Sequence, residues 1–168
     1  MIKVREQHSD ADIPGIEAVS KLAFPDTDSS AGFRKIRQRD FDKLSLVAID
    51  EKELVGHILF LPAVIEHNNA TVNGMGLVEL AVTPGRQRQG IGGQLIEGGL
   101  RRLSEVDCPF VLVVGHAGYY PKFGFRPGRE HNLKCQWDGV SEESFMVRIL
   151  DETQMSGVAG IAAYTDKF

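Results

Sequence analysis

The stretch LVELAVTPGRQRQGIGGQLIEGGLRRL, Leu77 to Leu103, constrains this chain more than any other, because it reads as a strand, a donor-rich turn and a helix in immediate succession. Leu77 to Val82 is an apolar run broken only by Glu79, and Thr83, Pro84 and Gly85 stop it abruptly, which predicts a largely buried strand. Strand alternation puts Leu77, Glu79 and Ala81 on one face and Val78, Leu80 and Val82 on the other. From Ile91 the apolar positions Leu95, Ile96, Leu100 and Leu103 recur at helical spacing, with Arg101 and Arg102 in the last turn, where cations suit the helix dipole.

The helix therefore starts within the QGIGG run. Gly90, Gly92 and Gly93 leave its first backbone N–H groups uncovered, and Arg86 and Arg88 stand just ahead, so the turn suits a pyrophosphate. A Walker A loop is excluded: Gly85 and Gly90 have its glycine spacing, but Ile91 and Gly92 stand where that mechanism needs Lys and Ser/Thr. A dinucleotide fingerprint fits poorly, since Leu95 takes the place of its third glycine and a long β-rich segment precedes the motif. The pattern present is Q/R-x-x-G-x-G/A, here Gln87-Arg88-Gln89-Gly90-Ile91-Gly92, after a strand ending in L-A-V-x-P. It resembles the acetyl-CoA motif of the GNAT superfamily of N-acetyltransferases. The resemblance implies that the cofactor lies along Leu80, Ala81 and Val82 and on the turn formed by Gln87, Arg88, Gln89, Gly90, Ile91, Gly92 and Gly93.

Composition agrees with one domain over residues 1–168, which the resemblance implies is an N-acetyltransferase domain: the length fills a single core, and no linker, low-complexity tract or internal repeat interrupts it. The longest apolar stretch, Leu54 to Ile65, contains His57 and Pro62 and is too short for a membrane span, and the opening MIKVREQHSD lacks a signal-peptide core, so a cytoplasmic address is expected. Cys108 and Cys135 have neither metal-site nor disulfide-framework spacing and read as buried thiols, so no metal is expected. A net charge of −4 argues against a general nucleic-acid binder.

Along the chain, Ile2 to Arg5 reads as a strand, and Asp10 or Asp12 as the cap of a helix carrying Ile13, Ile16, Val19, Leu22 and Ala23 and ending at Pro25. A loop with Asp26 and Asp28 follows, then a basic helix near 31–39 with Arg34, Lys35, Arg37 and Arg39. Leu44 to Ile49, Leu54 to Glu66 and Thr71 to Val82 read as an antiparallel meander with short polar turns. Pro109 to Val114 is a buried strand that the helical crossover places parallel to Leu77–Val82, with a cofactor cleft opening where the two part. Cys135 to Trp137 and Phe145 to Leu150 are further strand candidates, Trp137 reads as a core residue, and the tail after Asp151 shows no regular pattern.

A second motif follows the buried strand: Gly115-His116-Ala117-Gly118-Tyr119-Tyr120-Pro121-Lys122-Phe123-Gly124-Phe125. GNAT proteins commonly carry a tyrosine followed by three residues and then a Gly-Phe pair here, and Tyr120 with Gly124-Phe125 matches. Phe145-Met146-Val147 and the Gly160…Tyr164…Phe168 tail resemble the stand-alone YhbS-like subgroup of predicted N-acetyltransferases. The chain departs from that subgroup in carrying His116-Ala117 where Asp-Pro is common. The fold implied is α/β (α+β): a mixed, mostly antiparallel sheet flanked by helices, with a parallel pair splayed around the cofactor.

The activity implied is acetyl transfer from acetyl-CoA to a primary amine, on a small molecule or a peptide, by direct attack in a ternary complex, with no nucleic-acid or membrane partner. Glu79, the one carboxylate inside the strand run, is the candidate base, since desolvation favours proton uptake; a structural carboxylate is the alternative reading. Tyr120 is the candidate proton donor to the departing thiolate, and Tyr119 a packing residue beside it. His116 reads either as a relay or as a solvent-facing histidine. A non-catalytic acyl-CoA sensor or protein-interaction module needs the glycine turn but neither Glu79 nor Tyr120.

Overall fold

The computed structural model describes residues 1–8, 10–26 and 43–165. The predicted basic helix near 31–39 and the residues Asp28 and Phe168 lie outside these. The elements are β1 (Ile2–Glu6), α1 (Ile13–Ala23), β2 (Leu44–Asp50), β3 (Glu53–His67), β4 (Ala70–Val82), α2 (Ile91–Glu105), β5 (Phe110–Val114), β6 (Arg126–Pro127), β7 (Leu133–Cys135), β8 (Phe145–Ile149) and β9 (Gly160–Tyr164). The nine strands form one mixed sheet in the order β1-β2-β3-β4-β5-β8-β6, with β9 pairing β3 and β7 off that path. Among the described residues no helix is long and apolar enough to cross a membrane.

The chain divides into two compact units, residues 1–60 with 79–99, and residues 61–78 with 100–167. In the first, β1 pairs antiparallel with β2, and β2 with the first half of β3. The turn between β2 and β3 is closed by Glu51 at φ 56°, a left-handed position that a non-glycine residue tolerates in a tight turn. Helix α2 lies against β3 at Gly56, where an added Cβ would meet Leu95 at 3.0 Å and Ile91 at 3.1 Å, and at Phe60, whose ring reaches within 2.4 Å of the Cβ position of Gly99. Glycine at 56 and 99 is thus a condition of the close helix-to-strand approach. The predicted apolar stripe of α2 is the buried one: Ile91, Leu95, Ile96, Leu100 and Leu103.

Helix α1 departs from expectation in two respects. Its buried face is Ile16, Val19 and Ser20, while Leu22 is 56% exposed. Asp12 does occupy the position before the helix, but its carboxylate caps nothing there. Both oxygens are taken by Arg5, at 2.7 and 3.0 Å, and the His8 N–H donates to Oδ2 at 2.6 Å, tying β1 to the helix start. The Arg5 hydrogen bonds pull the Asp12 carboxyl down to about 2. A folded value below the ordinary 3.8 means that this stabilisation is complete above the unfolded value and is lost as pH falls from 3.8 through about 2. Asp12→Asn is expected to cost about 1–2 kcal/mol in urea melts at pH 7, with the gap from the unmodified chain closing below about pH 3.

In the second unit, β5 pairs parallel with β4 through Met75↔Val111, Gly76↔Leu112 and Leu77↔Val113, as the helical crossover demands. The pairing stops there, although β4 runs on to Val82. Asn68 and Asn69, at φ 47° and 61°, make the turn into β4 with the two consecutive left-handed residues of a type I′ hairpin. Asp107 at φ 60° ends α2: its N–H reaches the Ser104 carbonyl and that of Cys108 reaches Leu103, the double closure of a Schellman motif. The core is built from Phe110, Leu112, Phe145, Val147, Ala162 and Tyr164 with their neighbours.

Three expectations are corrected in this unit. The irregular tail contains a strand, β9, which pairs antiparallel with Ala63–Glu66 and parallel with Leu133–Cys135. The strand expected at Cys135–Trp137 is β7, shifted to Leu133–Cys135, so Trp137 lies past its end, 41% exposed and stacked on Tyr164 with centroids 5.7 Å apart. Cys108 is buried as expected, but Cys135 is only half-buried.

Candidate active site

In the first unit β4 runs directly into the glycine-rich turn before α2. Thr83 N–H bonds the Val55 carbonyl at 3.0 Å, fixing the strand end, and Pro84–Arg86 form a single 3-10 turn. Arg88 at φ 62° and Gly90 at φ 84° then reverse the backbone into α2. A left-handed arginine is costly by about a kcal/mol or more, a strain typical of functional loops. The first helical hydrogen bond runs from Gln94 N–H to the Gly90 carbonyl at 3.1 Å, so the N–H groups of Ile91, Gly92 and Gly93 stand ahead of the ladder. Nothing lies within 4 Å of the place a Cβ would take at Gly90. This is the geometry of an anion site at a helix N-terminus.

The side chains around the turn have specific duties. Gln87 Nε2 donates to the Val82 carbonyl at 3.0 Å and so ties the turn to the strand end, while Arg88, Gln89 and Gly90 are exposed. Arg86, grouped in the sequence with Arg88 as a local positive charge, is instead engaged: its Nη2 pairs with Asp50 at 2.7 Å. Asp50 also takes the N-terminal amine at 3.1 Å, and these donors hold its carboxyl below the usual range. Arg88 is therefore the turn's cation left facing solvent among the described residues.

Glu79 lies on β4 between the half-buried Val78 and Leu80, on the face it shares with the buried Leu77 and Ala81, as alternation requires. It is 4% exposed. Ser20 Oγ from α1 donates to its Oε1, and His57 Nδ1 from β3 stands 3.9 Å from the same oxygen. His57 in turn meets Ser45 Oγ from β2, 2.9 Å from its Nε2, and Ser45 donates to Gln7 Oε1 at 2.7 Å. Ser20, Ser45, His57 and Glu79 are the buried polar side chains of the described residues. Sequence reasoning missed His57, Ser45 and Ser20; the signal was His57 itself, the polar break in an otherwise apolar strand.

In the second unit Tyr120 opens the 3-10 turn Tyr120–Phe123 and is 8% exposed. Its ring meets Tyr119 and Phe125 edge-on, with centroids at 5.3 and 5.6 Å, and passes so close to Gly115 that a Cβ there would lie 2.5 Å from it. Gly124 at φ 82° lets the chain turn into Phe125 and β6. Burial first, and then the neighbouring Tyr119, pushes the Tyr120 phenol up to about 12. Tyr119 is half-buried with Lys122 Nζ 4.6 Å from its ring centroid, a packing role as expected. His116 is exposed, and its carbonyl accepts the N–H groups of Tyr119 and Tyr120.

The profile of the acetyltransferase (GNAT) domain family matches residues 3–128. The chain belongs to the GNAT family. An Escherichia coli K12 protein named an uncharacterized N-acetyltransferase, YhbS, is 30% identical over 158 residues, which cover 94% of this GNAT chain and 93% of that protein. The crystal structure of Escherichia coli YhbS in complex with CoA superposes with a TM-score of 0.87 over 97% of this chain and 89% of that one. A GNAT acetyltransferase from Brucella melitensis in complex with acetyl-CoA superposes with a TM-score of 0.71 at 26% identity, covering 98% and 96%. The sheet described above is thus the GNAT sheet, and this GNAT chain is an N-acetyltransferase of that fold.

Proposed function

We propose that this chain transfers the acetyl group of acetyl-CoA to an amine nitrogen of a small molecule or peptide, by direct attack in a ternary complex. The observation that carries the reading is Glu79: a buried carboxylate, held by Ser20, on the strand that leads straight into the open N-terminus of α2. The relatives whose structures hold CoA and acetyl-CoA support the donor. Because the family match draws on both compact units, we read residues 1–168 as one catalytic domain.

The roles follow from the chemistry. The pyrophosphate of the donor takes the N–H groups at Gly90–Gly93, with Gln87, Arg88 and Gln89 around it, and the acyl arm runs along Leu80–Val82, whose backbone N–H groups stabilise the oxyanion. Glu79 removes the amine proton, directly or through water. The nitrogen lone pair then forms the C–N bond, the C–S bond breaks, and the Tyr120 hydroxyl donates toward the departing sulfur.

The test is a panel of amines assayed for acetyl-CoA-dependent thiol release. Release with at least one amine is expected. Tight acetyl-CoA binding with no release across the panel would instead favour a sensor or interaction module. Glu79→Gln is expected to keep acetyl-CoA affinity while lowering turnover about a hundredfold and altering the acidic limb of the pH profile. Unchanged turnover and pH dependence would move the base elsewhere.

A further inference from the structure

The turn ahead of α2 is tied down from two sides, and the ties flank its least favourable backbone position. Arg88 is left-handed at φ 62°, a conformation disfavoured for an arginine that persists only where the surrounding structure over-determines it. On one side of it, Gln87 Nε2 holds the Val82 carbonyl at 3.0 Å. On the other, Gln89 presents Oε1 to Arg86 Nε at 3.3 Å, with its own Nε2 3.5 Å from the Gly85 carbonyl. Arg86 also reaches out of the turn: its Nη2 meets Asp50 Oδ2 at 2.7 Å, at the end of β2. Nε and Nη2 belong to one planar, always-charged fork, so a guanidinium fixed at Asp50 presents its other nitrogen to Gln89 in a set direction. A carboxylate on β2, two strands over from β4, thus governs the residue directly before Gly90. The Arg86 hydrogen bond, and then the Met1 amine at 3.1 Å from Oδ1, hold the Asp50 carboxyl below the usual range, so it stays charged at neutral pH.

We propose that Asp50 is a positioning residue for the acyl donor: through Arg86 and Gln89 it holds the 86–90 turn, before the donor arrives, in the shape that leaves the Ile91, Gly92 and Gly93 N–H groups open to a pyrophosphate. This rests on the placement of the donor in the reading above. The ion pair is partly exposed, at 28% for Arg86 and 24% for Asp50, so it adds little to the stability of the whole fold. Its effect falls on a local equilibrium instead. A turn released from Arg86 populates other conformers of Arg88, and the apparent affinity drops with the fraction of molecules that keep the binding-competent one. The other duty open to Arg86 is that of a direct phosphate ligand, which would require it to leave an anion already seated 2.7 Å away. On that duty Asp50 is a competitor of the donor, and removing it tightens binding. The two duties therefore predict opposite signs for the same substitution.

The experiment is calorimetric titration of the full chain with CoA, alongside thermal melts and steady-state kinetics. Asp50→Ala is expected to weaken CoA binding about three- to tenfold with a melt close to the wild type's, and Asp50→Asn, which keeps an acceptor oxygen, to weaken it by less. Arg86→Lys keeps the charge but carries a single nitrogen, which cannot serve Asp50 and Gln89 together, so it is expected to lose nearly as much as Arg86→Met. The double variant Asp50→Ala with Arg86→Met is expected to lose no more than Arg86→Met alone, because both residues act through one chain of contacts. In Asp50→Ala the KM for acetyl-CoA is expected to rise by the factor seen in calorimetry, with kcat held within about twofold. Its kcat/KM for S-acetylpantetheine, which carries the thioester arm but ends short of the pyrophosphate, is expected to stay at the wild-type value. Unchanged or tighter CoA binding in folded Asp50→Ala would overturn the proposal. So would wild-type affinity in Arg86→Lys, or an equal loss with S-acetylpantetheine, the mark of a general distortion. If Gly92→Asp loses CoA affinity and Asp50→Ala does not, the placement of the donor stands and the role of Asp50 alone fails. If no amine supports thiol release, the acetyltransferase reading fails on its own, while calorimetry still decides whether Asp50 positions the turn.

Discussion

Gly92→Asp is expected to weaken acetyl-CoA binding by at least about a hundredfold, roughly 3 kcal/mol, and to leave the protein folded. Gly92 is the second residue of α2, ahead of the first helical hydrogen bond at Gln94. An aspartate there places a carboxylate where a pyrophosphate would sit, and it offers the same N–H donors an anion of its own. The substitution separates binding from stability, because an acidic residue in the first turn is favourable for the helix itself. Calorimetric titration with acetyl-CoA, alongside a thermal melt, is the measurement. Equal affinity in a folded Gly92→Asp protein would place the pyrophosphate elsewhere.

The second large effect is at Tyr120, where Tyr120→Phe is expected to lower the chemical rate by about ten- to a thousandfold with little change in acetyl-CoA affinity. Phenylalanine keeps the edge-on contacts to Tyr119 and Phe125 and the contact with Gly115, so the hydroxyl alone is removed. Burial sharpens the mechanism. With the phenol at about 12 and a thiol near 8.5, complete proton transfer to a free thiolate is uphill by about 5 kcal/mol, so the role proposed for Tyr120 requires a hydrogen bond, or transfer coupled to C–S cleavage. The same elevated value keeps the hydroxyl protonated through the working range, so no alkaline limb below about pH 11 belongs to it. Single-turnover rates are required, since slow product release would hide the chemical defect. A wild-type single-turnover rate in folded Tyr120→Phe would make solvent the proton source.

Local pattern and tertiary structure contributed different things. The strand, turn and helix from Leu77 to Leu103 were legible because each is written in short-range terms. Alternation placed Glu79 on the face of Leu77 and Ala81, helical spacing marked Ile91, Leu95, Ile96, Leu100 and Leu103 for burial, and the glycines announced an uncovered helix start. The parallel pairing of β4 with β5 followed from the length of the crossover. Strand β9 was not legible, because Gly160–Tyr164 is short and gains its β structure from partners far away in sequence, at Ala63–Glu66 and Leu133–Cys135.

The chemical environment of the candidate base was also outside the reach of local pattern. Asp12 carries the residue type of a helix cap, but Arg5 lies close enough in space to claim both its oxygens. Arg86 stands among the phosphate-facing residues in sequence, but the β2 end brings Asp50 to 2.7 Å of its guanidinium. His57 reads as a blemish in an apolar run, and becomes the partner of Glu79 only when β2, β3, β4 and α1 are packed together. Periodicity tells which side of its own strand or helix a residue occupies, and that was enough to name the strand, the turn and the carboxylate. Which charged or polar atom stands opposite depends on strand register and helix docking, set by packing across many residues, and those contacts decide which groups remain available to hold a ligand or a proton.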